Sequence, residues 1–179
     1  MKYLFIALIG ILASCKTSET LKTSNLDHTY QTWLSEPAFE IKCTVAHPFV
    51  TSELSQIANS TLLGSGNTVN RINLQGRGDF LRISEGVVVA DMSYYGTQQF
   101  AVSNTGSSRI ILNGPIEDYD LTYNQKKNST HISFKASHEL EHYEFYITLY
   151  ASGNCTMDIN STKRNFIKYD GVMEELVEE

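Results

Sequence analysis

Hydrophobic and polar residues alternate through the second half of the chain, with the period of two that is typical of β-strands with one buried face. Polar turns separate the alternating segments, for example at residues 124–129 and 152–154. Strands joined by short turns predict an antiparallel meander, either closed into a barrel or folded as a sandwich. The segments lie at about 119–123, 132–136, 143–151, 155–159 and 165–170.

The first half of the chain shows two different periods. Leu26, Tyr30, Trp33 and Leu34 recur at the spacing of one helical face, and Pro37 ends the pattern, which predicts one N-terminal α-helix. After Pro37 the period changes to two and predicts a strand from Phe39 to Val45. Further strands are predicted near 71–75, 79–84, 86–92, 98–103 and 108–112, whereas residues 47–70 are less regular.

Residues 1–14 predict a secretory signal, because their apolar run follows a Lys and is shorter than the roughly 20 residues of a transmembrane helix. Residues 12–15, Leu-Ala-Ser-Cys, resemble the lipobox of bacterial lipoproteins, in which cleavage leaves the Cys as a lipidated N-terminus. The alternative is an ordinary signal peptide with an incidental Cys. We therefore expect a lipidated Cys15 with a flexible tether to residue 25, and one domain over 26–179.

The net charge of the chain and its expected location limit the kinds of partner that it can have. The formal net charge is −6, so the chain lacks the basic footprint of a nucleic-acid-binding protein. We expect a monomer of the cell envelope, anchored by its lipid in the outer membrane, with no cofactor. A small ligand or another envelope protein is the expected partner.

Two cysteines remain when Cys15 is lipidated. Cys43 and Cys155 could form a disulfide that closes a loop of about 110 residues and contributes roughly 4 to 5 kcal/mol in the chain-entropy model. The alternative is a pair of buried free thiols that pack as small apolar residues. The sequence does not decide between them, because bridging depends on the distance between the two Cα atoms.

Residues His138 to His142, HELEH, match the short motif of zinc peptidases. That motif works on an α-helix, where residues four apart share a face and both imidazoles reach one metal ion. Here the pentapeptide lies between two segments of period two, so we predict the tip of a hairpin. No residue further along supplies a credible third ligand, so we predict no metal site. No other constellation points to catalysis, and an enzyme is not expected.

Two stretches resemble the Bacteroidota envelope proteins grouped as domain of unknown function 4251. The first is DMSYYGTQQF, with Tyr94-Tyr95-Gly96, and the second is YASGNCTMDINSTKRNFIKYDGVM, with Arg164, Ile167, Tyr169 and Gly171. The resemblance covers about residues 28–176. It implies an all-β fold, in which the antiparallel meander closes into a lipocalin-like β-barrel preceded by the N-terminal helix. It implies no activity.

The resemblance also suggests roles for particular side chains. In lipocalin-like barrels a Trp often stacks under an Arg of the last strands and closes one end, so Trp33 and Arg164 are the expected pair. Tyr94, Tyr95 and Tyr169 are candidates for lining a ligand pocket, or alternatively for packing the core.

We expect a lipid-anchored, non-enzymatic module that holds a small apolar or amphipathic ligand in or at the mouth of the barrel. The alternative is a structural lipoprotein that binds another envelope protein.

Overall fold

The computed structural model describes Leu34 and residues 37–49, 66–96 and 108–176. The predicted helix, apart from Leu34, lies outside these residues, as do Cys15, Trp33 and the strand predicted near 98–103. Among the residues that are described, no helix has the length and apolarity needed to cross a membrane. The strands are β1 (Phe39–Pro48), β2 (Ile72–Asn73), β3 (Phe80–Ser84), β4 (Val87–Ser93), β5 (Arg109–Asn124), β6 (Ser129–His138), β7 (Glu141–Tyr150), β8 (Asn154–Ser161) and β9 (Ile167–Glu175).

The strands form a closed antiparallel barrel. Strands β3 to β9 pair in chain order, and β1 pairs with β3 on one side and with β9 on the other. The β1–β9 seam runs from Phe39↔Glu175 to Pro48↔Ile167. Eight strands therefore close the barrel, and the short β2 adds to the edge of β1. This confirms the predicted meander and its closure.

The inward side chains of the described strands pack together in the barrel interior. Alternate residues of the barrel strands point inward and form one buried cluster, which includes Phe134, Phe145 and Tyr169. The rings of Phe134 and Phe145 stack with centroids 4.7 Å apart. An eight-stranded barrel has an interior just wide enough for its own side chains. Burial of each large apolar side chain stabilises the fold by about 1.5 to 3 kcal/mol.

The barrel has two ends, which we call the lower end and the upper end. The lower end carries the β6–β7 turn at Glu139–Leu140 and the β8–β9 connection at 162–166. The upper end carries the β3–β4, β5–β6 and β7–β8 turns. Because neighbouring strands run in opposite directions, the start of β3 and the end of β4 also lie at the lower end. The seam places the start of β1 and the end of β9 at the upper end.

Strand β5 is longer than the sequence pattern predicts. Two separate strands were expected, near 108–112 and 119–123, whereas one strand of 16 residues runs from Arg109 to Asn124. Its first half pairs with β4 and its second half with β6. A bulge between Glu117 and Asp120 interrupts the alternation, and Asp118 there has φ 52°. The bulge explains why one strand shows two separate patterns.

Candidate functional site

A buried carboxylate lies at the lower end of the barrel. Glu141 begins β7 and shares the inward phase of Tyr143, Phe145 and Ile147. Its exposed fraction is 3%. An ionised carboxylate at such a position needs a cation and hydrogen bonds, because burial removes its hydration.

Arg164 supplies that cation. Its Nε lies 3.0 Å from Glu141 Oε1 and 3.3 Å from Oε2, and both side chains are 4% exposed. Ser161 Oγ also donates to Glu141 Oε1. The guanidinium of Arg164 lies 5.2 Å from the ring centroid of Tyr94, as a cation–π contact. The cluster joins β7, the β8–β9 connection and the residue directly after β4, so it closes the lower end.

The tyrosine hydroxyls around this pair are hydrogen-bonded and neutral. Tyr94 Oη donates to the carbonyl of Asn165 at 3.1 Å, and burial raises the pKa of Tyr94 to about 12. Burial, followed by a hydrogen bond with Glu141, raises the pKa of Tyr143 further. Phenols with such pKa values do not exchange protons near neutral pH. The cluster has the features of a structural closure and lacks an accessible acid or base.

A second buried carboxylate, that of Asp79, also lies at the lower end. Asp79 precedes β3, and its Oδ1 accepts from the backbone N–H of Ser93 and lies 3.4 Å from Arg109 Nη2. Its Oδ2 is buried without a hydrogen-bond partner among the described residues. Tyr169 Oη donates to the carbonyl of Ser93 at 2.9 Å, which ties the core to this cluster. Asp79 therefore also holds strands together at the lower end.

The HELEH pentapeptide forms a hairpin tip, as predicted. His138 pairs with Glu141 across a two-residue turn, in which Glu139 has φ 53°. Because neighbouring residues of a strand face opposite sides, His138 shares the inner face of Glu141 and His142 lies on the outer face. The two imidazoles point away from each other and cannot bind one ion. Among the described residues there is no group of three metal-ligating side chains.

The cysteine pair is a pair of free thiols. Cys43 on β1 and Cys155 on β8 both lie opposite Gly171, on either side of β9. Two strand spacings separate their Cα atoms by about 10 Å, beyond the roughly 7 Å that a disulfide spans. Both are buried and unbridged, which favours the alternative of two free thiols. Burial raises the pKa of Cys155 to about 12 and that of Cys43 still further.

The expected ligand-lining tyrosines pack the protein instead. Tyr94 is 3% and Tyr169 1% exposed, and both belong to the core cluster. Tyr95 packs against that cluster, and its Oη accepts from Arg77 at 2.7 Å. The described ring partner of Arg164 is Tyr94, whereas Trp33 lies outside the described residues. Burial favours the alternative, in which Tyr94 and Tyr169 pack the core.

Two grooves lie on the outside of the barrel wall. The first, which we call the outer groove, has a volume of about 440 Å³ and crosses β5 to β8; its polar walls include Lys135, Ser137, His142, Glu144, Asn160 and Thr162. The second, of about 410 Å³, lies over β1. Its charged walls neutralise each other, since Lys42 pairs with Glu174 at 2.6 Å and Arg82 with Glu40 at 2.7 Å.

Comparison with known proteins identifies the family. The model of the domain of unknown function DUF4251 matches residues 22–173. The chain belongs to the DUF4251 family. A crystal structure of a DUF4251 family protein from Bacteroides eggerthii DSM 20697 has a TM-score of 0.56 at 13% identity, over 81% of this chain and 84% of that one. At this identity the likeness shows the fold alone. No curated protein matches, and no catalytic family is indicated.

The sequence interpretation missed the two buried acids of this DUF4251 protein, although their positions carry a signal. Glu141 continues the inward phase of β7, and Asp79 continues that of Leu81 and Ile83 in β3. A carboxylate in phase with core residues implies a buried partner. The identity of that partner, Arg164, depends on the turn between β8 and β9 and could not be derived from periodicity.

Proposed function

We propose that this DUF4251 protein is a lipid-anchored, non-enzymatic binding module of the cell envelope, in the outer membrane, and that it binds its ligand on the outer wall of the barrel. The observation that carries this proposal is the filled interior. Strands around the barrel contribute buried side chains to one cluster, and Glu141 and Arg164 close the lower end. A ligand inside would have to displace this packing, so the outer groove is a better ligand site than the barrel mouth.

The lipobox at residues 12–15 supports the anchor. Phe39 begins β1 at the upper end, opposite Glu175 of β9. A lipid on Cys15 would hold the domain close to the bilayer. With a formal net charge of −6, the domain would gain little attraction from anionic headgroups.

Metabolic labelling tests the anchor. In a Bacteroidota host that is fed an alkyne-modified palmitate, we expect the wild-type chain to carry the label and to fractionate with the outer membrane. The Cys15→Ala variant should lose both properties. A soluble, unlabelled wild-type chain would refute the anchoring.

Native mass spectrometry tests the filled barrel. For chain purified from the same host, we expect no apolar small molecule held inside the barrel of the lipidated polypeptide. A stoichiometric apolar ligand that leaves only when the barrel unfolds would show a binding site in the interior and would overturn the proposed function.

Exposed apolar side chains at the lower end favour a second candidate, in which the chain binds another envelope protein. Leu140 is 78% exposed at the tip of the β6–β7 turn, Phe49 is 55% and Phe166 38% exposed. Phe49 and Phe166 directly flank the pair Pro48↔Ile167 at the end of the seam. A photo-crosslinking residue at position 140 should then give one discrete protein adduct in the host, whereas the same residue at position 111 on the wall should not.

A further inference from the structure

The outer groove offers a built arrangement of polar groups. Strand register sets Lys135 of β6 beside Glu144 of β7, and Glu144 beside Asn160 of β8. In the next row toward the lower end, Ser137 lies beside His142. Side chains in such cross-strand rows lie about 5 Å apart. The groove therefore presents two rows of hydrogen-bonding groups across neighbouring strands.

Internal hydrogen bonds orient these groups. Ser137 Oγ lies 2.7 Å from Nδ1 of His142. This contact fixes the ring, so that Nε2 of the same imidazole points away from Ser137. The backbone N–H of His142 donates to Thr162 Oγ1 at 3.1 Å, and the N–H of Thr162 donates to the carbonyl of His142 at 3.1 Å. Lys135 Nζ donates to Asp118 at 2.8 Å. The part of the wall around His142 is thus held in place before any ligand binds, which lowers the entropic cost of binding.

The lining combines donors and acceptors within one small space. Apart from Ala136 and Tyr143, whose side chains face the core, every described lining residue is polar. Tyr146 lies outside this lining, in the next row of β7; the residue is 47% exposed and its Oη donates to Glu144 at 3.2 Å. A protein partner usually needs an apolar anchor pocket, which this lining does not offer. Hydroxyls, an amide and carboxylates beside an exposed aromatic ring instead suit a ligand rich in hydroxyl groups.

We propose that the outer groove binds a neutral saccharide through Glu144, Asn160 and His142, with the ring of Tyr146 packing against a sugar face. Carboxylate and amide oxygens accept from sugar hydroxyls, and the amide and imidazole N–H groups donate to them. The volume of about 440 Å³ lies within the range of small-molecule sites. This inference rests on the proposed function, since it names the ligand class of the same groove.

The test is an NMR titration of the full-length chain, with Cys15 replaced by Ser for solubility, against three probes: maltoheptaose, N-acetylated chitotetraose and xylohexaose. We expect at least one probe to shift amide resonances of residues 135–137, 142–144 and 160–162. The double variant Glu144→Ala/Asn160→Ala should bind that probe at least about tenfold more weakly. The control variant Thr156→Ala, on the same outer face of β8 but outside the groove, should bind like the wild type.

Two results would overturn the inference. One is the absence of shifts with all three probes, and the other is a set of shifts that maps outside the groove or survives the double variant. The titration could fail while the earlier tests show a palmitate-labelled chain with no ligand inside its barrel. That combination would remove only the saccharide assignment. A ligand in the interior would instead remove the proposed function, whatever the titration shows.

Discussion

Buried tyrosine hydroxyls surround the lower end of the barrel and extend along its core. Burial raises the pKa of Tyr94 and of Tyr119 to about 12, and raises that of Tyr143 and Tyr169 further. In the unfolded chain these phenols titrate near pH 10. The unfolded state therefore loses protons first as the pH rises. The stability from the neutral phenols is complete below about pH 10 and falls as the pH approaches 12.

An absorbance titration at 295 nm, where ionised tyrosine absorbs, checks whether these phenols ionise late. We expect the exposed tyrosines to ionise near pH 10 while the barrel stays folded, and the four with raised pKa values to ionise together with loss of far-ultraviolet circular dichroism. Tyr94→Phe should reduce the late step by one phenol. Ionisation of all ten tyrosines near pH 10 in a folded barrel would contradict the burial of their hydroxyls.

The two core thiols should be inert in the folded protein. Cys43 and Cys155 are buried, and burial raises the pKa of both, so the reactive thiolate is scarce. In the Cys15→Ser chain we expect no reaction with Ellman's reagent until guanidinium unfolds the barrel, and then two equivalents. A mass lower by about 2 Da that is restored by a reductant would show a disulfide.

The β1–β9 seam depends on a glycine. A Cβ at Gly171 would lie 2.8 Å from Ile41 Cγ2 and 2.8 Å from the carbonyl oxygen of Lys42. The backbone oxygen cannot move without disturbing the ladder. We expect Gly171→Ala to lower the free energy of unfolding by about 1 to 3 kcal/mol, measured by urea denaturation. Val172→Ala, at the adjacent position on the outer face, should lower the free energy of unfolding by less. Equal losses of unfolding free energy in the two variants would argue against a tight seam.

The β6–β7 turn contains a strained residue. Glu139 has φ 53°, a conformation in which a non-glycine residue costs about 1 to 2 kcal/mol. Glycine relieves this strain but loses more backbone entropy on folding, by about 0.5 to 1 kcal/mol. We therefore expect Glu139→Gly to leave stability unchanged or raise it by up to about 1.5 kcal/mol in thermal unfolding. A loss above 1 kcal/mol would show that the Glu139 side chain itself supports the tip.

Period-two alternation predicted the strand elements well, because each barrel strand has one buried and one exposed face. It failed where a bulge changes the phase, as at Asp118 in β5. It also could not show that Cys43 and Cys155 lie on opposite sides of β9, since that depends on strand order. The groove walls share the outward phase, but only the register brings Lys135, Glu144 and Asn160 into one row.

At the scale of the whole molecule, the barrel is a filled scaffold whose lower end is closed by an ion pair. Glu141 and Arg164 come from β7 and the β8–β9 connection, and Tyr94 from the end of β4 stacks on the guanidinium. Buried pairs are strongly coupled, because removing one partner leaves the other charge without compensation. This closure, together with the packed core, is the reason to seek the binding site on the outer wall.

A double-mutant cycle on Glu141→Gln and Arg164→Met, followed by urea unfolding, tests this closure most directly. We predict that each single variant loses about 3 to 5 kcal/mol, and that the double variant loses clearly less than the sum, with a coupling above about 1 kcal/mol. The exposed pair Lys135–Asp118 is the control, with a coupling below about 1 kcal/mol. Small, additive losses at Glu141 and Arg164 would contradict a barrel closed by this pair.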